Sequence, residues 1–170
     1  RDVSTGTQKS IGNLVRRGLA EGIHPRELSR LIKPMIGLTT NQASSALHLR
    51  SQMLKAGANA QTTQKTVGRW IEKKLRERAE TIARTETIRA SNAGTHAAWE
   101  SSINEGLIRV GGEPREWQAA DSERTCEICN ALDGQVVGFT EYFSTGITVV
   151  QYPPAHPRCR CSVSLVYEKV

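Results

Sequence analysis

Several features are missing from this 170-residue sequence. No run approaches the roughly 18 consecutive apolar residues of a membrane-spanning helix. No charged segment followed by an apolar stretch and a small-residue cleavage site opens the chain. The chain is therefore expected neither to span a membrane nor to be a secretory precursor. The first residue is Arg1 in place of methionine, which points to a piece of a longer product with sequence upstream. The metalloprotease H-E-x-x-H, the Walker A loop and the dinucleotide G-x-G-x-x-G are absent, which removes the commonest zinc-protease, nucleotide-hydrolase and dehydrogenase readings. Internal repeats and low-complexity tracts are absent too. Aromatic residues make up only 5% of the chain.

What is present is unevenly distributed. Residues 1–110 carry 18 Lys+Arg against 9 Asp+Glu, a balance of +9, and residues 111–170 carry 5 against 8, a balance of −3. A basic half suits nucleic-acid phosphates or an acidic protein surface, although solvated helix faces account for most such runs. The four cysteines, Cys126, Cys129, Cys159 and Cys161, all lie in the acidic part.

From Thr5 to about Gly106 the pattern is helical. Ile11, Leu14, Val15 and Leu19 recur at helical spacing before Gly22. Pro25 opens a second helix at a first-turn position where its missing N–H costs little, and Pro34 predicts a kink or an early end near Lys33. Thr39 or Thr40 caps a third helix that ends near Gly57. Val67, Trp70, Ile71, Leu75, Ala79, Ile82 and Ala83 then recur at steps of three and four, continuing through Ile88, Ala93, Ala97 and Ile103. Two long helices, or one broken near Gly94, are expected there. After Gly106 the register breaks at Gly111-Gly112 and Pro114. Short strands follow at 116–120, after the Asp133-Gly134 turn, at 147–152 and at 162–167. The expected fold is α+β: an N-terminal helical region (1–58), a long-helix region (59–110) and a small unit (111–170).

The chemistry concentrates in that unit. Cys126-Glu127-Ile128-Cys129 can turn two thiolates toward one tetrahedral ion. His156-Pro157-Arg158-Cys159-Arg160-Cys161 offers one imidazole and two more thiolates. Five candidates compete for four places; Cys126, Cys129 and His156 with either Cys159 or Cys161 is the favoured set, and a four-cysteine site is the alternative. About 55 residues with few aromatics bury little apolar surface, so a structural zinc ion would decide whether the unit folds. Disulfides or free thiols are the competing readings, and no secretory context favours oxidation. A zinc deaminase needs H-x-E ahead of P-C-x-x-C, an order not found here. A metal-dependent nuclease or hydrolase centred on His156 lacks a second obvious catalytic histidine.

Two further groups stand out. Arg84, Glu86 and Arg89 interrupt a helix that should pack, and are candidates for a polar anchor to the metal unit or to a partner chain. The bland reading is an exposed ion pair worth a few tenths of a kcal/mol. Lys73, Lys74 and Arg76 are the candidate nucleic-acid contacts.

Taken together, Ala83-Arg84-Thr85-Glu86-Thr87, Trp117, the stretch Asp121 to Cys129, Leu132-Asp133-Gly134 and the stretch Pro153 to Cys161 resemble the Mu F-like family of phage minor head proteins across residues 80–165. The resemblance implies a non-enzymatic virion component inside the head near the portal, assembled in the host cytoplasm. Its partners would be the portal or major capsid protein and, less directly, packaged DNA, with no membrane and no small-molecule substrate. Some members of that family carry a toxin or enzyme domain after this module; none is visible before Val170.

Overall fold

A computed structural model of the chain describes residues 4–108, 114–120, 122, 123 and 125–166. The expected break at Gly111-Gly112 and the end of the last strand at Tyr167 lie outside the described residues. The chain forms two compact units, residues 1–83 and 84–170, and one helix contributes to both.

The first unit is helical. Helix α1 (Thr5–Ala20) is capped by the Ser4 hydroxyl, which accepts from the Thr7 N–H, and it ends before Gly22 at φ 68°. In α2 (Pro25–Ile32), the His24 ring nitrogen Nδ1 caps by accepting from the Arg26 N–H at 3.2 Å. Pro34 does end this helix: Lys33–Met35 is a single 3-10 turn. Thr39 opens α3 (Thr40–Lys55) with a capping box, its hydroxyl accepting from Gln42 while the Gln42 side chain accepts from the Thr39 N–H. Ile11 and Val15 of α1, Leu28 and Ile32 of α2, and Ala79 and Ala83 are buried. A Cβ on Gly18 would stand 2.6 Å from the Leu28 side chain, so glycine at this position permits the close approach of α1 and α2.

Helix α4 (Ala60–Asn104) is continuous, where a break near Gly94 had been one expectation. Asn59 starts it, Oδ1 accepting from the Thr62 N–H at 2.8 Å. A single glycine costs a helix about 1 kcal/mol against alanine, too little to break one flanked on both sides by apolar residues at helical spacing.

In the second unit, α4 is followed by β1 (Arg115–Gln118), the short helix α5 (Glu127–Leu132), β2 (Val136–Val137), β3 (Phe143–Ser144), β4 (Val149–Val150) and β5 (Ser162–Leu165). A three-stranded antiparallel sheet runs β2-β1-β5, with Trp117 opposite Val163 and Glu116 opposite Val136; β3 and β4 form a separate hairpin. The Asp133-Gly134 turn falls where the sequence places it. Gly134 takes φ 70°, its N–H donates to the Trp117 carbonyl, and the Asp133 carboxylate accepts from the Ala119 N–H. The Gln135 side chain ties the hairpin to this turn by exchanging two hydrogen bonds with the Ser144 backbone.

Candidate metal centre

The core of the second unit is small and contains three of the four cysteines. Trp117, Leu132, Phe143, Cys129, Cys159 and Cys161 are all buried together. Trp117 meets Phe143 edge to face with centroids 5.3 Å apart. Beneath them Arg115 is completely buried. Its guanidinium donates to the carbonyls of Gln151, Gly138 and Glu141 and lies over the rings of Phe139 (5.6 Å) and Phe143 (5.3 Å). Burial lowers the pKa of Arg115, and the nearby Glu141 partly offsets it. One cation therefore gathers three carbonyls from the segments on either side of the β3–β4 hairpin. Strand alternation is the signal for it, since Arg115 shares a strand face with the core residue Trp117.

Five donors converge above this core. Cys126 is the N-cap of α5 and Cys129 lies in its first turn, so the two-residue gap brings both sulfurs to one side. The third donor comes from a tight turn, His156-Pro157-Arg158-Cys159, closed by the Cys159 N–H donating to the His156 carbonyl at 3.2 Å. Pro157 at the second position and φ 63° at Arg158 match a type II turn. The third position of that turn usually carries glycine, and an L-residue there costs about 1 kcal/mol or more. The Arg158 N–H is held by the Thr85 hydroxyl of α4 at 3.0 Å.

The donors lie close together, and one separation matches a metal site. His156 Nε2 lies 3.2 Å from Cys126 Sγ and 3.0 Å from Cys129 Sγ, and Cys129 Sγ lies 3.8 Å from Cys159 Sγ. Sulfurs about 2.3 Å from one tetrahedral ion stand about 3.8 Å apart, which is the Cys129–Cys159 separation. The imidazole stands closer to the sulfurs than a shared ion would hold it. Donor atoms of Cys126, Cys129 and His156 lie within 4.8 Å of one another, as do those of Cys129, Cys159 and Cys161, so Cys129 belongs to both triads. The space among the donors is about 20 Å³, room for one ion or water.

The tautomer fits as well. His156 Nδ1 lies 2.8 Å from the Pro157 carbonyl, which only accepts, so Nδ1 carries the proton and Nε2 presents its lone pair to the sulfurs. Burial, and then the neighbouring thiols, push the Cys129 thiol far above its usual range, and burial likewise raises Cys159. A divalent cation reverses that balance by drawing the protons off its ligands.

The remaining sequence candidates lie elsewhere. Glu86 and Arg89 pair with each other along α4 at 2.7 and 2.8 Å, and Arg84 is exposed. In the same stretch it is Thr85 that is buried and reaches the histidine turn. Lys74 pairs with Glu77 at 2.8 Å and lies over the Trp70 ring, whereas Lys73 and Arg76 are exposed. No helix among the described residues is long and apolar enough to cross a membrane.

Residues 48–164, more than half of the chain, match the family model described as phage Mu protein F like protein. No curated protein and no solved structure matches the chain.

Proposed function

The chain belongs to the phage Mu protein F-like family, and on that premise we propose that it is a structural minor head protein of a tailed bacteriophage, acting in head morphogenesis from inside the head near the portal. The observation that carries the reading is the convergence of Cys126, Cys129, His156, Cys159 and Cys161 inside the matched region. A structural zinc ion is the metal this donor set suits, because thiolate and imidazole together favour zinc and a tetrahedral site. Cys126, Cys129 and His156 would hold it with Cys159 or Cys161. When bound, the ion supplies a crosslink between α5 and the loop before β5.

The protein residues do the rest. Pro157 sets the imidazole tautomer, Thr85 fixes the turn that presents it, and Arg115 holds the segments on either side of the β3–β4 hairpin. A structural role for the centre is supported by its place in the fold, since Cys129, Cys159 and Cys161 are packed into the core of the unit. Exposed Arg84 and the Glu86–Arg89 pair then serve as a contact for the portal or capsid partner, and the basic helices meet packaged DNA, with Arg76 and Lys73 better exposed for it than Lys74.

Locating the chain in purified particles tests this reading. Immunogold labelling or a density difference against particles lacking the gene should place it inside the head at the portal vertex. Particles of normal composition and infectivity in its absence, with no copies in the wild-type virion, contradict it.

A further inference from the structure

The positive charge of the molecule resides in one unit. Residues 1–83 carry 15 Lys+Arg against 6 Asp+Glu, and residues 84–170 carry 8 against 11, so the net charges are +9 and −3. Within the first unit there is a groove of about 530 Å³ lined by Arg26, Ser29, Arg30, Lys33, Arg76, Ala79 and Glu80. Its small residues are the buried ones, Ser29 on α2 and Ala79 on α4, and its cations are the exposed or half-exposed ones. Two helices facing each other through small side chains leave a channel, and four cations stand along it.

Two carboxylates temper this charge. Glu80 is in the lining, and Glu72 holds Lys33 at 2.7 Å. Among the described residues no salt bridge ties up Arg26, Arg30 or Arg76, although Glu72 also feels the charge of Arg76. Arg26 and Arg30 stand one helical turn apart, about 6 Å along α2, with Arg76 across the groove on α4. Guanidinium forks match phosphate oxygens with two parallel hydrogen bonds. Along α4 the sequence extends the cationic series with Lys65, Arg69 and Lys73, all exposed. A line of cations longer than any single anion suits a polymer of phosphates.

We infer that the groove between α2 and α4 is a nucleic-acid backbone site, in which Arg26, Arg30 and Arg76 bind successive phosphates of duplex DNA without reading its sequence. The three arginines came from two separate stretches of sequence, and the fold brings them to one channel. This inference does not depend on where the chain sits in a particle. DNA affinity of the purified protein can be present with the head assignment wrong, or absent with it right.

The test is fluorescence anisotropy of the full chain with a labelled duplex of arbitrary sequence, across a salt series from about 50 mM upward. Each phosphate contact contributes about 0.9 to the slope of log affinity against log salt. The triple variant Arg26→Gln, Arg30→Gln, Arg76→Gln should therefore lower the slope by about 2 to 3 and the affinity at about 50 mM salt by at least about tenfold. A control with equal charge loss, Lys9→Gln, Arg16→Gln, Arg50→Gln, should lose much less. Both variants should keep the wild-type helical circular dichroism. No DNA binding at low salt, or equal losses in the two triple variants, overturns the inference. So does polyglutamate binding tighter than the duplex, which would assign the groove to an acidic protein segment.

Discussion

The Thr85 hydroxyl accepts a hydrogen bond from the Arg158 backbone N–H at 3.0 Å, across 73 residues of sequence. Arg158 is the left-handed residue of the turn that carries His156 and Cys159, so a buried hydroxyl on a long helix positions the loop that supplies two of the candidate metal donors. Substitution of Thr85 by Val keeps the volume and removes the acceptor. The bond is part-buried, and losing a hydrogen bond of this kind costs about 0.5–1.5 kcal/mol. Thermal unfolding of the second unit should fall accordingly and zinc affinity should weaken, while Thr85→Ser restores both. Wild-type values for Thr85→Val would show the contact to be incidental.

Arg115 is expected to be the most sensitive single position outside the metal donors. Arg115→Met fills the same space but leaves the carbonyls of Gln151, Gly138 and Glu141 without their donor. Hydrogen bonds to a charged group are worth about 1.5–3 kcal/mol each, so the loss should be about 3 kcal/mol or more, and urea unfolding followed by near-UV circular dichroism measures it. Arg115→Lys should recover little, because one ammonium cannot reach three carbonyls in a plane.

His96 gives the second unit a pH dependence separate from the metal. Its ring stacks on Phe139 at 4.5 Å and meets Tyr152 at 5.5 Å. Burial, followed by the positive charge of Arg115, lowers its pKa, opposed by the Phe139 backbone and Glu100. The folded state therefore favours the neutral ring. Its contribution is complete above the ordinary histidine value of about 6.5 and is lost as pH falls from there through the depressed folded value. Unfolding free energies measured between pH 8 and 5 should decline in that window, and His96→Gln should remove part of the decline. An identical pH profile in the variant would refute the assignment.

Chelation should act on one unit only. Removing the metal under reducing conditions is expected to abolish the near-UV signal from buried Trp117 while leaving most of the far-UV helical signal, which arises largely from α1 to α4. Loss of both together would mean that the first unit depends on the metal as well.

The parts of this architecture visible in the sequence are those governed by local chemistry. Thr39, Pro25, Pro34 and the Asp133-Gly134 turn each act on residues within a few positions, and the structure places them accordingly. The paired cysteines are visible for the same reason, because a two-residue gap is a local feature that brings two sulfurs together. Gly94 was ambiguous because propensity alone cannot weigh one glycine against packing along both flanks. Thr85 was hidden because its partner is a backbone N–H that no sequence pattern marks. Arg115 is not marked because the sequence pattern starts the strand at 116, one residue after it, whereas β1 begins at Arg115 and alternates it with Trp117 toward the core. The α2–α4 groove needed the fold, since Arg26 and Arg76 are 50 positions apart.

The central claim is that a metal ion joins α5 to the histidine turn. Elemental analysis of the chain purified anaerobically without chelator tests it most directly, beside a Cys126→Ser, Cys129→Ser variant. The account predicts one zinc ion per wild-type chain and essentially none in the variant. A wild-type chain that is folded and free of zinc, or a variant that retains the full complement, would contradict it.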